Sequence, residues 1–238
     1  MTRPGRRDGL TARNTIKRLE AMGSRENIEG MARYGIKPGR ALGVPMTAIR
    51  AMSREIGVNH ALALELWDEG IHESRLLAAL LADPAEVDGE LMDLWAAAFD
   101  SWALCDTTCG SLFRKTVAAW EKAGEWSRRD ELFVKRAGFT MMAWLAVHDK
   151  RAPDSSFTPL LKLIRRGAKD ERPLVKKAVN WALRQIGKRN VRLNSRAIAL
   201  AVELAGTGGK AECWVAHGAL RELTGSKVQG RLTARKGT

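Results

Sequence analysis

Val134-Lys135-Arg136-Ala137 recurs 41 residues later as Val175-Lys176-Lys177-Ala178, and Val215-Ala216-His217-Gly218 follows 40 residues after that as a weaker copy. Each copy lies in a segment of helical period preceded by a more polar one. Two helices recurring about every 40 residues form a stacked α-solenoid, in which each repeat buries its apolar face on the next. A non-repetitive helical bundle is the alternative reading of the same periodicity.

The rest of residues 10–224 reads the same way. Apolar residues recur at spacings of three and four, as in Leu76, Leu77, Leu80, Leu81 and in Leu91, Leu94, Trp95, Ala98. Strand signals are scarce, with a single Tyr and little alternation. Asp83-Pro84 reads as a helix start, Ala152-Pro153 and Arg172-Pro173 as breaks, and Gly187 and Gly206 as stops. The expected fold is all-α: an α-α superhelix of HEAT-like repeats with a concave basic face. It forms one domain over 10–224, with basic flexible tails at 1–9 and 225–238.

The chain has 238 residues, of which 45% are hydrophobic, which excludes global disorder. No apolar run reaches transmembrane length, and MTRPGRRDGL lacks the apolar stretch of a secretory signal. A cytoplasmic protein is expected, with Cys105, Cys109 and Cys213 reduced.

Lys and Arg number 40 against 27 Asp and Glu, a formal net charge of +13. The tails hold Arg3, Arg6, Arg7, Lys227, Arg231, Arg235 and Lys236 against Asp8, and the body between them stays basic. Such a balance fits a polyanionic partner, nucleic acid above all, or simply a solvated basic surface.

Register sorts the candidate residues. Arg136 and Lys177 are equivalent, and Trp181 lies one turn beyond Lys177, so all three are expected on one inner wall. Lys176, Lys177, Arg184, Lys188 and Arg189 surround that Trp. Cations interleaved with an aromatic suit a phosphate-lined partner. The plainer reading places Trp181 in the core and the cations in water.

In Asp100-Ser101-Trp102-Ala103-Leu104-Cys105-Asp106, a helix sets Trp102 and Asp106 one turn apart on one face. An acid in an otherwise apolar run needs a cation or hydrogen-bond donors. Either Asp106 braces a neighbouring helix, for example by pairing with Arg136, or it serves chemistry.

Three stretches carry a family likeness: Trp102-Ala103-Leu104-Cys105-Asp106, Phe133-Val134-Lys135-Arg136-Ala137, and Val175 through Arg184. With Met31-Ala32-Arg33-Tyr34, they resemble the AlkD-type DNA alkylation repair glycosylases over about residues 25–225. The resemblance implies a lesion site of Trp102, Asp106, Arg136 and Trp181, and removal of N3- and N7-alkylated purines without full extrusion of the base. An alkylated purine is already a cationic leaving group. Asp106 would stabilise the oxocarbenium-like sugar and orient water. Trp102 and Trp181 would add cation–π contacts of about 0.5–2 kcal/mol each, and Arg136 would hold a phosphate. Family members with proven excision use an N-terminal helical pair to brace the duplex. Here Tyr34 to Pro45 holds three Gly and two Pro. An interior Pro costs about 3 kcal/mol, so a continuous helix is not expected and a subfamily lacking that helix is. Met46 to Gly57 reads as a helix able to touch a backbone through Arg50 and Arg54.

Cys105 and Cys109 share a face but complete no metal pattern, and read as buried thiols. Glu73 and Arg75 read as local ion pairs. Trp67, Trp95, Trp120, Trp126, Trp144 and Trp214 read as core. Gly206 to Lys210 lacks Walker spacing and reads as a turn. The expectation is a monomer that binds double-stranded DNA, alkylated or structurally distorted, without cofactor, metal or membrane. It hydrolyses the N-glycosidic bond at Asp106, Trp102, Arg136 and Trp181, and grips DNA through Arg50, Lys135, Lys176, Lys177, Arg184 and Lys188. The alternatives are a DNA-binding protein of this fold without excision, and a protein–protein scaffold.

Overall fold

A computed structural model describes residues 10–36 and 39–234. Helices account for most of them, and no strand occurs among them. In chain order these are α1 (Ala12–Glu20), α2 (Arg25–Arg33), α3 (Met46–Ile56), α4 (His60–Asp68) and α5 (His72–Leu81). Next come α6 (Gly89–Ala97), α7 (Trp102–Ser111), α8 (Ala119–Trp126), α9 (Leu132–His148) and α10 (Asp154–Gly167). The chain ends with α11 (Pro173–Gly187), α12 (Val191–Ala205), α13 (Lys210–Leu223) and α14 (Ser226–Ala234).

Local chemistry sets the boundaries. Thr11, Ser24, Asn59, Ser101 and Asn190 each accept from a main-chain N–H of the first turn they cap. Pro173 opens α11, where its missing N–H costs nothing. Asp83-Pro84 does not start a helix. Asp83 accepts from the Ala85 N–H at 2.9 Å, closing a turn, and α6 begins only at Gly89. Of the basic flexible tails expected at 1–9 and 225–238, residues 1–9 and 235–238 lie outside the described residues. Residues 226–234 form α14, which buries Val228 and Leu232.

The chain packs as two compact units. The first holds Met1–Asp88 and Asp100–Leu112, the second Gly89–Phe99 and Phe113–Thr238. In the first, α5 is the centre, packing on α3, α4 and α7, with Leu77, Ala78 and Leu81 fully buried. Residues 39–45 form no helix. Glu73 of α5, 1% exposed, accepts from the N–H groups of Leu42 (2.8 Å), Gly43 (2.8 Å) and Val44 (3.3 Å). The expected ion pairing of Glu73 is thus corrected: its carboxylate holds a loop. Gly43 has φ +76°, and a Cβ there would lie 2.0 Å from the Ser24 oxygen.

In the second unit α9, α11 and α13 pack side by side, and α10 and α12 lie against them. The recurring Val134, Val175 and Val215 are all buried. Buried Asn180 of α11 donates to the Val215 carbonyl of α13 at 2.8 Å. Helices approach closely where side chains vanish: a Cβ at Gly167 would fall 2.2 Å from the Phe139 ring. Trp95 and Trp126 are fully buried around Phe113, and the Trp126 Nε1 donates to Asp93 at 2.7 Å.

Candidate nucleic-acid interface

Helix α7 buries Leu104, Cys105, Thr108 and Cys109. That leaves Trp102, Ala103, Asp106 and Thr107 on its half-exposed side. Asp106 is therefore not sealed in the core, and Trp102 stands one turn before it as the spacing predicts. The Trp102 Nε1 donates to the Tyr34 carbonyl at 3.0 Å, joining α7 to the end of α2. Ala103 and Thr107 also line a cavity of about 540 Å³ in the first unit, with Met31, Met46 and His72 among its other walls. Burial pushes the His72 imidazole below its ordinary pKa, against the opposing charges of Glu73 and Asp100. Arg50 is exposed on α3.

The other candidates belong to the second unit. Arg136 is 6% exposed, and its Nη1 donates to the Leu174 carbonyl in the first turn of α11 at 2.5 Å. Its repeat-equivalent Lys177 is exposed. Equivalence in register therefore does not extend to exposure, because the guanidinium is long enough to strap one repeat to the next. Trp181 is half-buried, edge-on to Trp144 at 5.4 Å between centroids. The Gln185 amide, oriented with its oxygen toward the indole, accepts from the Trp181 Nε1 at 2.9 Å.

The proposed phosphate-gripping cations divide. Lys135 reaches Asp130 at 3.3 Å and Asp170 at 3.5 Å. Lys188 reaches Glu222 at 2.5 Å, and Arg184 pairs with the same carboxylate. Burial pushes the Glu222 carboxyl up, but the hydrogen bonds from Lys188 and Arg184 prevail and hold it below the usual carboxylate range. Lys176 places its ammonium 5.2 Å from the Trp214 ring centroid. Lys177 and Arg50 face solvent.

Trp214 is a second correction: read as core, it is 44% exposed. Trp67 is buried as expected, and Trp120 and Trp144 are half-buried. Arg189, read as one of the cations around Trp181, is turned to main-chain carbonyls instead. Its guanidinium donates to the carbonyls of Ala146, Asp149 and Ala152, closing the end of α9. Cys105 and Cys109 are buried thiols. Among the described residues, no group of three His, Cys, Asp or Glu is placed to hold a metal ion, and no helix is long and apolar enough to cross a membrane.

The fold has a solved counterpart. With a TM-score of 0.73, 21% identity and coverage of 82% of this chain and 83% of the other, it is similar to a protein from "a new family of proteins related to the HEAT-like repeat DNA glycosylases with affinity for branched DNA structures". A designed armadillo repeat protein in complex with the peptide (KR)4 aligns at a TM-score of 0.38 and 12% identity, covering 91% of this chain and 87% of that one. No curated protein matches the sequence. The all-helical repeat architecture is thus that of the HEAT-like repeat fold. The pattern of the DNA alkylation repair enzyme family matches residues 15–211, so the chain belongs to that family.

Proposed function

We propose that this protein binds DNA and recognises a branched or distorted structure, with base excision as a second reading. One observation carries the choice. Arg136, which an excision site needs free for a phosphate, is buried and donates to the Leu174 carbonyl. Lys177, which is exposed, would meet a phosphate instead. The structural neighbour's affinity for branched DNA supports the same reading. A monomer acting in the cytoplasm suffices for it. The test is binding of a four-way junction and a matched linear duplex across a salt series. Tighter junction binding that weakens steeply with salt supports the proposal, and salt-insensitive or absent binding rejects it.

Excision is favoured by the half-exposed Trp102–Asp106 pair on α7. In that reading the bond between C1′ and N9 of an N3- or N7-alkylpurine breaks, and its electron pair neutralises the departing cationic base. The Asp106 carboxylate stabilises the positive sugar and orients a water, which adds at C1′ and gives up a proton to solvent. Base release from methylated duplex, abolished in Asp106→Asn while DNA affinity is kept, supports this reading. Release unchanged in that variant removes Asp106 from the chemistry.

A further inference from the structure

Helix α13 presents an aromatic side chain that its own packing does not use. Ala211, Val215, Ala216, Ala219 and Leu223 form its buried face. Lys210, Trp214, His217 and Arg221 follow one another at intervals of four, three and four, so they make one stripe along the helix. All four are exposed. From α11, the Lys176 ammonium lies 5.2 Å from the Trp214 ring centroid, and the adjoining Lys177 is exposed.

The stripe itself contains cations and no acid. On the same helix Glu212 is half-buried, and Glu222 is engaged by Arg184 and Lys188. The indole is 44% exposed, and its flat apolar surface is more stable covered. An aromatic plane flanked by cations fits an unpaired nucleotide: the base stacks on the ring and the flanking phosphates meet the ammonium and guanidinium groups. Continuous duplex offers no free base face, and an apolar protein surface leaves the cations without counter-charge.

We infer that the Trp214 stripe binds an unpaired strand of DNA, with one base stacked on Trp214 and the backbone held by Lys210, Arg221 and Lys177. Lys176 rests on the ring through a half-buried cation–π contact, and its flexible stem lets it exchange the ring for a phosphate. The inference rests on the DNA-binding reading and deepens it, because a branch point exposes unpaired nucleotides that linear duplex does not.

Fluorescence anisotropy with a labelled oligothymidylate and a blunt duplex tests it in the full chain. Trp214→Ala is expected to weaken oligothymidylate binding about tenfold, and Trp214→Phe to retain most of it, because any aromatic face can stack. Blunt-duplex affinity should change less than about twofold in both variants, which also shows that the fold survives. Unchanged oligothymidylate affinity in Trp214→Ala, with duplex binding intact, overturns this inference alone. An equal loss on both probes overturns it too, since stacking is specific to unpaired bases. If the unaltered protein binds neither probe, this inference and the DNA-binding reading fall together.

Discussion

The Trp102 indole donates its Nε1 hydrogen to the main-chain carbonyl of Tyr34 at 3.0 Å. Trp102 opens α7, the helix that bears Asp106, and Tyr34 caps the end of α2. The bond uses the N–H at the edge of the indole. It couples the end of α2 to the helix that bears Asp106. Trp102→Phe keeps an aromatic side chain and loses the donor. We expect faster amide exchange at the end of α2 and a stability loss of about 1 kcal/mol. Unaltered exchange there would show that the bond does not hold the segment.

The loop that follows is fixed from below. Glu73 gathers three main-chain N–H groups from Leu42 to Val44 in a buried setting. Glu73→Gln removes the charge and puts an amide donor against donors, so a loss of about 2–3 kcal/mol is expected in denaturant unfolding. A change under about 0.5 kcal/mol would mean that the loop holds without it.

His72 beside it gives the first unit a pH dependence. Burial lowers its pKa, while Glu73 and Asp100 pull upward and Arg75 downward. As pH falls below the ordinary histidine range near about 6.5, the unfolded chain takes up a proton before the folded one does. The stability from neutral His72 is therefore present above that range and is lost as pH falls through the depressed value. A thermal-melt series from neutral to mildly acidic pH should show this loss, and His72→Gln should flatten it. An identical slope in the variant would assign the effect elsewhere.

Packing between the repeats is tight at Gly167, where an added methyl would meet the Phe139 ring. Gly167→Ala should destabilise by about 1–3 kcal/mol, although Ala is the better helix former. A stabilised variant would mean that Phe139 moves aside freely.

Much of this architecture was legible from spacing. The Val134, Val175 and Val215 register gave the repeat, and Gly187 and Gly206 stand where α11 and α12 stop. The Gly- and Pro-rich stretch after Tyr34 was readable as non-helical. What holds it was not, because a buried carboxylate that accepts main-chain N–H groups looks in sequence like any surface acid. Arg136 and Lys177 occupy equivalent positions, yet one is buried and the other exposed. Side-chain reach to a carbonyl 38 residues away decides that, and periodicity does not report it. Trp214 was misread because an aromatic in a helix is usually core. The cue was its polar company, Lys210, His217 and Arg221, which share its face.

Phosphate contact by exposed cations of the helical repeats is the proposed basis of DNA binding. Its most direct test is the salt dependence of four-way-junction binding in the unaltered protein and in Lys177→Ala. Logarithmic affinity should fall linearly with logarithmic salt, with a slope shallower by about one in the variant. The variant's weakening should be about equal for all DNA sequences, since the contact is to phosphate. An identical slope in both proteins, or binding indifferent to salt, would contradict it.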